Sequence, residues 1–81
     1  MLRFYLDVLN GDQVSQDLDG IDFADLDTAL AEALQGARDL VAEGIMRNED
    51  VSGQSFVIRD GTGEVVATVP FRETLPGRLK G

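Results

Sequence analysis

Residues 25–47 read "DLDTALAEALQGARDLVAEGIMR", and the way this run folds constrains everything around it. At 100° per residue from Leu30, the positions Leu26, Ala29, Leu30, Ala33, Leu34, Ala37, Leu40, Val41, Gly44 and Ile45 fall in one arc about 160° wide. Glu32, Gln35, Asp39 and Glu43 fall opposite, so the run reads as an amphipathic helix. Asp25 is its expected N-cap, Asp27 complements the dipole in the first turn, and Asn48 is the expected stop. Gly36 costs about 1 kcal/mol against alanine, and nothing in the sequence accounts for it. The apolar arc mixes Leu and Val with Ala and Gly, which lets the helix lie close on a sheet. A lone helix with one apolar face needs one sheet to cover it.

Strands for that sheet stand on either side. In "RFYLDVLNGD", residues 3–12, Phe4, Leu6 and Val8 alternate with Arg3, Tyr5 and Asp7, the period of a half-buried strand. Asn10 and Gly11 are the expected positive-φ pair of a tight hairpin turn. The return segment, residues 13–21, has only Val14, Leu18 and Ile21 as apolar residues, so it reads as a short edge strand. Residues 55–71, "SFVIRDGTGEVVATVPF", read as a second hairpin turning at Asp60, Gly61, Thr62 and Gly63. Phe56 and Ile58 share a face there; Val65, Ala67 and Val69 share one, as do Val66, Thr68 and Pro70. Pro70 ends the ladder by removing a donor. The expected fold is therefore α+β and two-layered, in the order β-β-α-β-β. A three- to four-stranded, mainly antiparallel sheet packs against one long helix. Residues 1–71 form a single domain, and residues 72–81 read as a C-terminal tail broken at Pro76 and Gly77. Leu30, Ala37 and Val41 are expected to bury against Phe4, Leu6, Val8, Phe56 and Ile58.

Composition narrows the chemistry. The chain of 81 residues has no Cys, His or Trp and a net charge of −8. Residues 1–54 hold 12 acids and 3 bases, a net of −9, whereas residues 55–81 hold 3 acids and 4 bases, a net of +1. Such a surface repels phosphate backbones, so no nucleic-acid partner is expected. Ser-His and Cys-His nucleophiles and ordinary zinc sites are excluded by the missing residue types. Gly61, Thr62 and Gly63 lack the Lys-Ser/Thr and the helix of a phosphate loop. The opening "MLRFYLDVLNGD" has charges at Arg3 and Asp7 and no long apolar run. Neither a secretory signal nor a membrane span is expected, and a cytoplasmic location follows. The reading is of a protein without enzyme activity and without a cofactor.

"DLDGIDFADLD", residues 17–27, holds five aspartates and superficially offers a calcium loop. With Gly20 as loop position six, Asp17 and Asp19 stand correctly at three and five. Ser15 then occupies position one, Asp22 the apolar position eight, and Leu26 the position of the bidentate glutamate, which leaves too few oxygens. No specific calcium site or other metal site is expected, only a solvated acidic connection into the helix. Two features suit contact with a protein. Asp17, Asp19 and Asp22 supply an acidic surface, and Ala31, Gln35, Arg38, Ala42 and Met46 supply a mildly apolar strip on the outer helix.

The chain also resembles a family of short alphaproteobacterial proteins of unknown function, through "RFYLDVLNGD", "DLDGIDFADLDTALAEALQGARDLVAE" and "VIRDGTGEVVATVPF". The likeness rests on Phe4, Asp7, Val8, Gly11, Asp17 and Gly20, then Asp25, Leu26, Ala29, Glu32 and Ala33, and finally Asp60, Gly63, Val69, Pro70 and Phe71. It covers nearly the whole chain up to Phe71 and implies no activity or binding residue. More loosely, the strand hairpin followed by "DTALAEALQGA" is similar to HicB-type antitoxin domains. The Tyr- and Pro-rich strand and the C-terminal DNA-binding segment of those domains are missing here. Together these readings lead us to expect a small non-catalytic protein-interaction module that self-associates as a homodimer. The alternative is an antitoxin-like or inhibitor protein that covers a basic protein partner with its acidic half.

Overall fold

Both ends of the helix are fixed by hydrogen bonds the local sequence supplies. In the computed structural model, which describes residues 1–74, helix α1 runs Leu26–Met46. The Asp25 carboxylate accepts the Thr28 N–H at 2.8 Å and the Thr28 hydroxyl at 2.7 Å, closing the first turn as an N-cap. At the other end Asn48 takes a φ of 60°. The Glu49 N–H then reaches back to the Gly44 carbonyl at 2.7 Å and the Asn48 N–H to Ile45 at 3.1 Å. This is a Schellman ending with asparagine at the left-handed position where glycine is commoner.

Among the described residues, five strands complete the fold: β1 (Leu2–Asn10), β2 (Gln13–Ser15), β3 (Ile21–Phe23), β4 (Gln54–Arg59) and β5 (Val65–Pro70). All pairings are antiparallel, in the order β2-β1-β4-β5, with β3 also on β1. The expected α+β sandwich of one helix on one antiparallel sheet is present. The sheet has five strands rather than three or four because the return segment forms two pieces. Of the expected tail, residues 72–81, the first three continue from Phe71 as structured chain, and the rest, with the break at Pro76 and Gly77, lies outside the described residues. Phe71–Thr74 form a 3-10 turn.

Two local features of the strands differ from the sequence reading. Asn10 stays in the ladder opposite Gln13, and of the two residues at the turn only Gly11 has a positive φ, 62°. Glycine at the first central position is the II′ pattern rather than the I′ pattern of a true Asn-Gly turn. Between Ile58 and Arg59 of β4 the register shifts, so that β5 bulges at Val66: Val65 stands opposite Arg59 while Ala67 stays opposite Ile58. Val65 is thereby moved off the face of Ala67 and Val69. Between the two strands, the Asp60 carboxylate accepts N–H groups from Thr62 and Glu64 and the Thr62 hydroxyl. The stretch from Asp60 to Gly63 is an Asx-type turn.

The core lies between α1 and one sheet face. Phe4, Phe56, Ile58, Val69 and Phe71 meet Ala29, Ala33, Ala37 and Val41. The buried helix seam repeats every fourth position, as Ala29, Ala33 and Ala37 and then Val41. Of the residues expected to bury, Ala37 and Val41 do, but Leu30 flanks the seam half-buried with Leu26 and Leu34, as Leu6 and Val8 do on the sheet side. Small residues at the centre let the helix approach until the aromatic rings fill the remaining depth. Leu40 and Ile45, at the rim of the predicted arc, are 38% and 62% exposed.

Two helix glycines should respond oppositely to alanine. A Cβ at Gly36 would sit 3.6 Å from the Phe56 ring, an ordinary contact, so nothing in the structure requires glycine there. Gly36→Ala is expected to raise stability by about 0.5–1 kcal/mol through helix propensity. A Cβ at Gly44 would lie 2.9 Å from the Glu49 carbonyl oxygen, inside the Schellman turn. Gly44→Ala should therefore lower stability. Urea midpoints of the two variants moving in the same direction would contradict this packing.

Candidate functional site

The sheet face turned away from the helix carries a connected polar system. Strand alternation places Arg3, Tyr5 and Asp7 there, and the register sets Arg59 opposite Tyr5 and Val57 opposite Asp7. Asp7 is 5% exposed, the one buried charged residue among those described. Its Oδ2 accepts the Arg59 Nε–H at 2.7 Å and its Oδ1 the Nη2–H at 3.0 Å, a bidentate pair. The same guanidinium lies 5.1 Å from the centre of the Tyr5 ring, within cation–π range.

The acidic segment joins this system through an interruption in its strand pairing. Partner numbers add to 23 along β2 and to 25 along β3, so the edge carries two extra residues, and residues 16–20 stand opposite 5–7. The Asp17 carboxylate fills the resulting gap in the ladder. Its Oδ2 accepts the Leu6 N–H at 3.1 Å, and its Oδ1 accepts the N–H groups of Asp19 at 3.2 Å and Gly20 at 3.0 Å. The Asp17 N–H in turn donates to Asp7 Oδ1 at 3.0 Å. Gly20 is required at its place. Its φ is 74°, and a Cβ would meet the Arg3 side chain at 2.5 Å and the Tyr5 ring at 2.9 Å. Arg3 closes the outer end, pairing with Asp22 at 2.8 Å and donating to the Asp19 carbonyl at 2.9 Å.

The electrostatics follow from these contacts. The hydrogen bonds from Arg59 hold the Asp7 carboxyl below its ordinary range, against the opposing effect of burial. For Asp17 burial is the largest single influence and favours the neutral form, but the three N–H donors together outweigh it and hold the group low. The proximity of Asp7 adds a small opposing repulsion. Asp22 is lowered mainly by the hydrogen bond from Arg3. Carboxylates held ionised by structural donors have no proton to give near neutrality, and their lone pairs are engaged in holding the strand edge.

The residues singled out from sequence thus divide. Asp17 is half-buried and turned inward, not part of a solvated connection, while Asp22 is tied to Arg3 and Asp19 is exposed. Ala31, Gln35, Arg38, Ala42 and Met46 are all exposed on the outer side of α1, with Gln35 hydrogen-bonded to Asp39 at 3.0 Å. The two groups lie on different layers and do not form one surface. Sequence reasoning missed Asp7, Tyr5, Arg59 and the role of Gly20. The available signal was a lone acid within β1 and a lone base at the end of β4, the pattern of a diagonal cross-strand pair.

Concavities are shallow. An apolar groove of about 410 Å³ opens between Leu2, Phe4, Leu26, Val66 and the turn at residues 60–62. Another, of about 390 Å³, lies by Val41, Ile45 and Val51 next to Glu49 and Asp50. Among the described residues no group of three or more His, Cys, Asp or Glu side chains is placed to hold a metal ion. No described helix is long and apolar enough to cross a membrane.

No curated protein and no solved structure matches the chain. One family model does, and it runs from Arg3, at the outer end of the polar system, to Arg72, just past the buried Phe71. By that match, which covers residues 3–72, the chain belongs to the family described as Domain of unknown function (DUF6894).

Proposed function

We propose that the protein is a small non-catalytic interaction module that associates with a second copy of itself through the sheet face opposite the helix. The observation that carries this reading is the one-sided architecture. α1 covers the Phe4, Phe56 and Val69 face, while Val65 on the far face is 55% exposed and Val14 56% exposed. The charges on that face neutralise one another as the Arg3–Asp22 and Arg59–Asp7 pairs, which lowers the cost of bringing two acidic chains together. The test is sedimentation equilibrium over a wide concentration range. A concentration-dependent doubling of mass, reduced by Val65→Glu, supports the reading. A strict monomer up to millimolar concentration would overturn the homodimer.

The unequal charge distribution supports a second reading, an antitoxin-like or inhibitor role. The segment 1–54, with 12 acids against 3 bases, carries a net negative charge that complements a basic protein. This form of the proposal includes the likeness to short alphaproteobacterial proteins and to HicB-type domains, and with it a bacterial, cytoplasmic setting. Binding of a basic partner that weakens steeply with added salt supports it; salt-insensitive binding contradicts it.

A further inference from the structure

The two edges of the sheet are closed by different means. β5 is blunted by its bulge and by Pro70, devices that also protect the edges of other sheets. The edge of β1 is instead covered by the chain itself, and the cover is lightly anchored. Ser15 and the rest of β2 are exposed, with Leu18 82% and Ile21 46% exposed. Phe23, half-buried with its ring 6.2 Å from that of Phe4, is the apolar anchor. Three paired positions hold each short strand, and the Asp17 carboxylate occupies the gap between them.

We propose that residues 11–23 are a strap latched over the edge of β1 by the Asp17 carboxylate, and that the strap leaves β1 as a unit, ahead of the rest of the sheet, when that carboxylate is neutralised. The latch depends on charge because all three hydrogen-bond partners of the Asp17 carboxylate are N–H donors. An Oδ that takes on a proton, or an amide nitrogen in its place, would point a donor at the N–H of Leu6, or of Asp19 and Gly20, and one side of the gap would lose its acceptor. The charged and titratable groups facing the latch are Asp7 and Tyr5 from β1, Arg59 from β4, and Asp19 within the strap, with Arg3 and Asp22 at its outer end. Asp7 is hydrogen-bonded to Arg59, whereas the Asp17 carboxylate takes its hydrogen bonds from backbone N–H groups and feels the Arg59 charge only at longer range. Release would uncover the backbone donors and acceptors of the longest strand, a template for strand addition. The inference needs no partner and stands apart from the proposed dimer face.

Native-state hydrogen exchange measured by NMR tests the idea. In the ladder the N–H groups of Phe4 and Val8 turn the same way as that of Leu6, toward the strap, but they pair with β3 and β2 rather than with Asp17. They therefore report release of the strap and not the loss of one bond. In Asp17→Asn at neutral pH, Phe4 and Val8 are expected to lose about ten-fold or more in protection while Ile58 and Val69 keep theirs. Asp22→Asn, which breaks only an exposed pair, should leave Phe4 and Val8 within about three-fold of wild type. Wild-type protein should show the same selective loss as the pH falls below about 4. If Asp17→Asn does not fold, wild-type exchange in sub-denaturing urea serves instead, with the strap amides opening first. Equal loss across β1, β4 and β5, or unchanged Phe4 and Val8 in a folded Asp17→Asn, would overturn the proposal.

Discussion

Phe71→Ala is expected to cost about 3–5 kcal/mol, a large part of the about 5–15 kcal/mol that holds a typical domain folded. The ring has no exposed surface and meets Phe56 edge-on, with centroids 4.9 Å apart and planes at 64°. It closes the end of the core where β5 stops. Pro70 ends the ladder, and the 3-10 turn that follows tips Phe71 beneath α1. The neighbours of an alanine there are a helix and a strand pair held by their own hydrogen bonds, so they would not collapse into the cavity. The half-buried Leu30 provides the contrast: Leu30→Ala should cost less, about 2 kcal/mol, because it sits at the edge of the core and part of the side chain already faces water. Urea unfolding of the two variants decides the order. A Phe71→Ala midpoint shifted no further than that of Leu30→Ala would mean that the ring does not fill the core.

Leu30 and Phe71 also show what the sequence could and could not reveal. Periodicity located α1 and its Asp25 cap because both are set within a few residues of chain. It could not choose the centre of a 160° arc, since that depends on how deep the facing sheet is. Large side chains drew attention to Leu30, while alanines form the seam. Phe71 lies after the strand-ending Pro70, at a place where periodicity carries no information. The segment from Gln13 to Phe23 shows the same limit. Its poor alternation pointed to a weak edge, yet the two-residue insertion and the inward turn of Asp17 arise from pairing with β1, a long-range event. Five clustered aspartates invite a metal or a docking face. The contacts show Asp17 filling a gap in a ladder, Asp22 holding Arg3, and Asp25 capping a helix, with a different physical cause for each.

Asp7→Ala is the other substitution expected to have a large effect, on the order of 2–4 kcal/mol at neutral pH. It removes both acceptors of Arg59 and the acceptor of the Asp17 N–H, from a site where Asp7 itself is buried. Arg59, with 21% of its side chain exposed, can move toward water, which keeps the cost below that of a fully stranded charge. The sign of the pH dependence follows from the direction of the shifts. Asp7 and Asp17 are both lowered in the folded protein, so their stabilisation is fully present above the unfolded carboxyl range, about pH 4. It is lost as the pH falls from there through the lower folded values. Wild-type stability should therefore drop on acidification, and Asp7→Ala should flatten that drop because part of the titrating contribution is gone. Adding Arg59→Met to Asp7→Leu should recover stability relative to either change alone, since an apolar pair of similar bulk leaves no buried charge without a partner. Urea unfolding at neutral and acid pH measures all of this. An Asp7→Ala protein as stable as wild type at neutral pH, or one with the same acid sensitivity, would show that the Asp7–Arg59 pair contributes nothing to holding the sheet.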